Sequence, residues 1–266
     1  MPTIFIYNGP GVADVDDYYR SLSTMLNEAY TIAYITAAEI IEGNTLKLCA
    51  LLVIPGGADI PYCEAFNGAG NANIRAYVEN GGCFLGICAG GYYGSRFCIF
   101  DEKDPKMAVV GCRELRFFEG AAKGPVLKKY ICGEPVGIVC AKIFLSKMAI
   151  DGSIQNNHIT PRYTYVHYHG GPAFIKGDQA DVLAFYKKMP YENWYDTSIL
   201  KTNDVEEVVP AVIFKKVGKG KVILSGVHLE NSMFDAYCPQ DTNFLHRKMF
   251  LRKILGEIFQ LKLNDK

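Results

Sequence analysis

No stretch of this 266-residue chain approaches the roughly 20 consecutive apolar residues that a membrane-spanning helix needs. Its start carries no basic segment leading into an apolar one, so neither a membrane protein nor a cleaved export signal is expected. An excess of charge of one sign is missing as well: the 28 basic and 28 acidic side chains cancel, leaving no global attraction towards nucleic acid. There is no Cys-x-x-Cys pair and no His/Cys cluster at zinc spacing, and no motif calls for an organic cofactor. The expectation is for neither metal nor cofactor. Repeats, low-complexity tracts and linker-like stretches are also lacking, which favours one domain over residues 1–266.

What is present is a globular composition, 49% hydrophobic against 21% charged, enough for a substantial core at this length. Nine cysteines form an odd number at irregular spacing, in a chain long enough not to need staples. That usage predicts free thiols in a reducing compartment, hence a cytoplasmic protein.

The first hundred residues alternate β-prone runs with helical periodicity. Thr3 to Tyr7, Thr31 to Ile35, Cys49 to Ile54 and Cys83 to Ile87 are the runs. The last two have almost no polar alternation, as strands buried on both faces of a parallel sheet do. Between them Val15, Tyr18, Leu22, Met25 and Ala29 recur at helical spacing, behind Asp14, Asp16 and Asp17. A second helix, broken or delayed by Gly68 and Gly70, carries Ile74, Tyr77 and Val78 inwards. From Cys98 to about Gly171 only short β-prone pieces occur, among them Val136 to Phe144 and Tyr163 to Tyr168, and they read as an antiparallel extension. Ala211 to Lys216 and Lys221 to Leu224 flank a hairpin turn at Val217-Gly218-Lys219-Gly220. A final amphipathic helix starts near Asn243, with Leu245, Met249, Ile254, Leu255 and Ile258 as its apolar positions. The pattern predicts an α/β fold: a mostly parallel sheet covered by helices, extended by antiparallel strands in the middle of the chain.

Gly86-Ile87-Cys88-Ala89-Gly90 sets a cysteine between two glycines where a buried strand gives way to a helix. A sharp turn there strains the central residue, and the glycines let neighbouring segments approach. The Cys88 side chain then stands at the carboxyl edge of the sheet, over a helix N-terminus whose unpaired N–H groups favour a thiolate. Composition alone produces Gly-x-Cys-x-Gly roughly 0.09 times in such a chain, so position strengthens what the pattern suggests. The plainer reading makes Cys88 a small buried hydrophobe.

A cysteine nucleophile needs a base, and the base an orienter. Of the five histidines, His158 looks like a loop residue and His246 belongs to the final helix. His228 follows a buried strand that breaks at Gly226, and it stands two residues before Glu230. If that strand is parallel to the one ending at Cys88, His228 reaches the edge where open α/β sheets bind ligands, and Glu230 can fix its tautomer. The plainer reading has His228 merely closing a strand. The turn at Pro55-Gly56-Gly57 offers N–H groups that, with that of Ala89, would form an oxyanion hole; alternatively it is an ordinary turn. Asn8 lies in a loop on the same rim, and His169 with Gly170 can line a pocket.

Five segments in order carry a wider likeness: VIPGGADIPY (53–62), GGCFLGICAGGYYGS (81–95), GCRELRFFEGAAKGP (111–125), YHGGPAF (168–174) and GKGKVILSGVHLE (218–230). Together they resemble the class I glutamine amidotransferase-like superfamily, and within it the N-terminal domain of fungal-type biotin–protein ligases. The resemblance implies a flavodoxin-like three-layer fold, Cys88 as nucleophile with His228 and Glu230 as partners, and Gly57 with Ala89 as oxyanion donors. Two departures matter. A Gly/Arg-rich adenylate-binding loop and a ligase catalytic domain are not in this sequence, so biotin transfer is not expected of it. Where glutamine-hydrolysing members read G-x-C-x-G-x-Q, this chain has Gly90-Gly91-Tyr92, which argues against glutaminase activity. The expected function is that of a stand-alone amide or acyl hydrolase acting on a small molecule with an amide or carboxyl group. The alternative is a non-catalytic metabolite-binding or regulatory module, associated with a separate biotin–protein ligase. A third reading is redox sensing by Cys88.

Overall fold

The structure is a computed structural model that describes residues 1–127, 130–131, 134–150, 162–177, 179–187, 208–231 and 244–264. The four apolar runs of the first hundred residues are strands β1 (Thr3–Tyr7), β2 (Thr31–Ile35), β3 (Cys49–Ile54) and β4 (Cys83–Ile87). They pair in parallel in the order β2-β1-β3-β4, and β13 (Gly220–Ser225) joins β4 as the fifth parallel strand. The same sheet continues antiparallel through β12 (Val208–Val217), β11 (Asp181–Lys187), β8 (Val139–Leu145) and β9 (Tyr163–Tyr168), making nine strands. A second sheet has the order β10 (Ala173–Ile175), β7 (Phe118–Gly124), β5 (Ser95–Phe100) and β6 (Val109–Cys112).

Alternate side chains of the parallel strands serve two cores, which is why these strands show no polar alternation. On one face Ile4, Ile6, Leu51, Val53 and Leu85 pack with α1 (Asp16–Met25) and with Phe250 and Leu251 of α7 (Phe244–Lys253). On the other, Phe5, Tyr7, Leu52, Ile54 and Phe84 meet α3 (Asp59–Phe66), α4 (Ala69–Glu79) and Phe118 and Phe174 of the second sheet. The result is the expected three-layer α/β arrangement. Its middle segment is richer than a simple extension: β8, β9 and β11 lengthen the main sheet, whereas β5, β6, β7 and β10 form a sheet of their own.

Other differences have local causes. The helical break falls at Gly68, which has φ +64°, while Gly70 runs on inside α4. Strand β8 begins at Val139 instead of Val136, because Gly137 turns the chain at φ +93° and Ile138 N–H closes on the Pro135 carbonyl. Strand β12 begins at Val208, three residues before the expected start; its Pro210 lacks an N–H and sits beside a register shift in β11. In α7 the buried side chains include Arg247, Phe250 and Leu251, whereas Leu245 is exposed. The thiol expectation also needs correction. Cys49, Cys63, Cys83, Cys88, Cys98 and Cys112 are free, but Cys140 is disulfide-bonded, since pairing follows proximity in the fold and not spacing in sequence. Cys132, Cys238 and His158 lie outside the described residues.

Between β4 and α5 (Ala89–Gly94) the chain turns through Cys88, at φ +53° and ψ −105°. Gly86 and Gly90 make that turn possible: a Cβ at Gly86 would strike the Gly90 carbonyl, and one at Gly90 would strike the carbonyl of Ile54 at the end of β3. Because both obstacles are backbone, Gly90→Ala should cost stability at the upper end of the ~1–3 kcal/mol typical of overpacking. Urea denaturation of the variant checks this, and an unchanged midpoint would contradict it.

Candidate active site

The parallel pairing of β13 with β4 sets Ser225 opposite Ile87, and the Cys88 N–H donates to the Ser225 carbonyl at 2.8 Å. His228, three residues further on, therefore emerges at the same sheet edge as Cys88. The two side chains crowd one glycine: a Cβ built on Gly56 would stand 2.8 Å from His228 Cε1 and 3.4 Å from Cys88 Cβ. His228 Nδ1 lies 2.8 Å from Glu230 Oε1, and the two side chains are only 13% and 5% exposed. Glu230 is thus a buried carboxylate with the imidazole as its partner.

Burial by itself would depress the His228 imidazolium, but the Glu230 carboxylate and the adjoining Cys88 side chain outweigh it and lift the pKa to about 10. A ring of the same kind lies against it. His167, on β9, has its ring centroid 4.9 Å from that of His228, and its carbonyl accepts the His228 N–H at 2.9 Å. Burial first, then the neighbouring His228 and His169, push His167 down to about 2. Its Nδ1 lies 2.9 Å from Asn231 Nδ2. Behind this segment the buried Arg247 donates from Nη1 to the Leu229 carbonyl at 2.6 Å, clamping the backbone between His228 and Glu230.

Cys88 lines two cavities, a cleft of about 480 Å³ and a chamber of about 220 Å³. His228, Glu230 and His167 line the cleft, Ala89 and Gly170 line the chamber, and Gly57 and His169 line both. The His169 carbonyl lies 3.4 Å from Cys88 Sγ. Among the described residues the N–H groups of Gly57 and Ala89 have no hydrogen-bond acceptor. Gly56 differs from the expectation. Its N–H donates to the Tyr18 hydroxyl at 2.8 Å, so it forms wall and not oxyanion donor. Asn8 lines neither cavity; its N–H is tied to the Ile35 carbonyl, away from Cys88. Among the described residues no group of three His, Cys, Asp or Glu side chains is arranged to hold a metal ion.

His167, Arg247 and Tyr18 join the site without a motif in the sequence to single them out. The pair His167-Tyr168-His169 at a strand end was the available signal for the first. Arg247 gave none, since a charged helical residue ordinarily faces water.

The chain matches the family described as "Biotin-protein ligase, N terminal" over residues 2–261. It is 31% identical over 234 residues to the biotin–protein ligase of Schizosaccharomyces pombe, covering 86% of this chain and 33% of that protein. The chain therefore spans about a third of the length of that relative. It is also 30% identical over 264 residues to an uncharacterized protein of Chlamydia muridarum, covering 95% of this chain and 89% of the other. Among solved structures, one titled as a glutamine amidotransferase superposes with a TM-score of 0.57 at 14% identity, over 98% of this chain and 100% of that one. A β-galactosidase from Bacillus circulans sp. alkalophilus gives 0.51 at 14% identity, over 98% of this chain and 31% of its own. These structural likenesses are likenesses of fold.

The charge pairing gives a pH dependence of definite sign. His228 binds its proton more tightly folded than unfolded, so its contribution to stability is complete below about pH 6.5 and is lost as pH rises towards about 10. In Glu230→Gln the carboxylate is gone and Cys88 still opposes burial, so the His228 midpoint should fall well below about 10. Titration of the imidazole Cε1–H resonance by NMR measures both midpoints; a variant that still titrates near the wild-type value would show that Glu230 is not the cause.

Proposed function

This chain belongs to the biotin–protein ligase N-terminal family, and from that membership and the geometry at Cys88 we propose that it is a cysteine-dependent hydrolase of small-molecule amides. The observation that carries the reading is the pairing of a buried His228 with Glu230 beside a cysteine held at positive φ. The reading takes residues 1–266 as one domain, supported by a family match that runs across 2–261.

In this reading the Cys88 proton already rests on His228 Nε2, the ring nitrogen not committed to Glu230, and Cys88 Sγ attacks the acyl carbon. The Glu230 carboxylate favours that imidazolium, and the N–H groups of Gly57 and Ala89 receive the developing oxyanion. The proton then goes to the departing amine as the carbon–nitrogen bond breaks, leaving a thioester on Cys88. Water attacks that thioester as His228 takes a proton from the water, the carbon–sulfur bond breaks, the carboxylic acid leaves, and the proton on His228 restores the Cys88–His228 pair. Tyr92 occupies the position where the resemblance would place glutamine, so the amide is not assigned to glutamine.

A second reading has its own support. The fission-yeast relative is a biotin–protein ligase whose matching part is a third of its length. A module of this kind would bind a ligand or associate with a ligase without turnover.

Two measurements separate the readings. Iodoacetamide should modify Cys88 faster than the exposed free thiol Cys112, and mass spectrometry locates the adduct. On an amide panel, Cys88→Ala should abolish turnover and Glu230→Gln should lower kcat/KM by up to about 10⁴-fold, as loss of an orienting carboxylate does elsewhere. Ligand or ligase binding that survives Cys88→Ala, with no turnover by the wild type, would favour the module.

A further inference from the structure

Resting on the hydrolase reading of Cys88, we infer that the chamber of about 220 Å³ beside it receives the acyl half of the substrate, and that this half is uncharged and apolar. The direction follows from which cavity holds which group. Of the two candidate oxyanion donors, Gly57 lines both cavities and Ala89 lines the chamber and not the cleft. His228, which must reach the departing nitrogen, lines the cleft and not the chamber. An amide laid across Cys88 therefore has its carbonyl side towards the chamber and its amine side towards the cleft.

The chemistry of the walls selects the occupant. Ile60, Phe100, Met107, Val109 and Tyr92 are among the residues that line the chamber. Tyr92 spends its hydroxyl on the Gly170 carbonyl at 3.0 Å and presents its ring, which meets Phe100 edge-on at 5.7 Å. Phe100 in turn meets Tyr130 at 5.6 Å, so the aromatic edge is continuous. The charged side chain in the lining is Asp59, which is neutralised by Arg113 at 2.7 Å. Charged α-amino and α-carboxylate groups entering this space would shed water against a largely apolar lining, in which His169 Nε2 is a buried polar atom with no hydrogen-bond partner among the described residues, a costly transfer. At about 30 Å³ of liquid volume per water, the chamber corresponds to about six to eight non-hydrogen atoms. Phe100 and Val109 face each other across the β5–β6 pairing, so the second sheet sets the depth of the pocket.

Alkyl chloromethyl ketones test this without requiring turnover, because the Cys88 sulfur displaces chloride from the α-carbon and leaves a thioether while the carbonyl occupies the donor site. Methyl, pentyl and undecyl ketones, together with a diazoketone analogue of glutamine, are compared by the second-order rate of Cys88 modification. The rate should rise about fourfold per methylene from methyl to pentyl. It should stop rising by undecyl, and the glutamine analogue should react at least tenfold more slowly than the pentyl ketone. Val109→Trp, or Met107→Phe if the first variant fails to fold by circular dichroism, should bring the pentyl rate to within about twofold of the methyl rate. Fast modification of Cys88 by iodoacetamide with a flat alkyl series, or with the glutamine analogue fastest, would overturn the acyl-chamber inference alone. A Cys88 no more reactive than Cys112 towards iodoacetamide would overturn the hydrolase reading and the inference with it.

Discussion

The hydrogen bond from the Cys88 N–H to the Ser225 carbonyl is the contact to which the whole edge is referred. It joins the turn after β4 to the end of β13, and so fixes where the segment carrying His228 and Glu230 leaves the sheet. The contact exists because Gly90 lets the turn press against the Ile54 carbonyl on its other side. Three neighbouring parallel strands thus end against one another at a backbone level, before any side chain is considered. Side chains at 88, 228 and 230 inherit their spacing from that arrangement.

The electrostatics at this edge are as local as the backbone contact. His228 and His167 are rings of one kind within stacking distance, yet one is lifted to about 10 and the other pushed down to about 2. Both are buried; what separates them is the Glu230 carboxylate at 2.8 Å from the first. A cationic ring beside a neutral one avoids the repulsion that two imidazoliums would feel, and it leaves a single proton localised next to Cys88. Arg247, in turn, holds the backbone of the same segment through the Leu229 carbonyl.

Much of this was legible in the chain. Runs such as CALLVI and CFLGI announce strands covered on both faces, and a glycine-flanked cysteine after one of them announces a sharp turn. His228 and Glu230, two residues apart, lie side by side in the fold. Other features could not be read. The commitment of the Gly56 N–H to Tyr18 depends on a residue 38 positions away, and no local pattern encodes it. Strand β12 runs past Ala211 back to Val208, because the fold accepts Pro210 at an irregular pairing. The face that α7 buries runs through Arg247 and leaves Leu245 exposed, and the reason for Arg247 lies in another element, at the Leu229 carbonyl. Cys140 looked like one more free thiol since spacing carries no information about partners.

The bridge between His167 and His228 has a consequence for the shape of the sheet. Strand β9 is the last in the hydrogen-bonded order, yet through His167 its backbone returns to the segment that follows β13. The run from β13 through β12, β11, β8 and β9 is therefore a closed circuit, with its seam at the histidines. Circuits of strands tolerate no fractional adjustment. Moving β9 by one residue against β8, where His167 now faces Cys140, would turn Tyr168 outwards and carry a histidine into the core beside Tyr186. The positions of two imidazoles are in that sense counted out residue by residue around a ring of five strands, and not chosen by the loop in which one of them happens to lie.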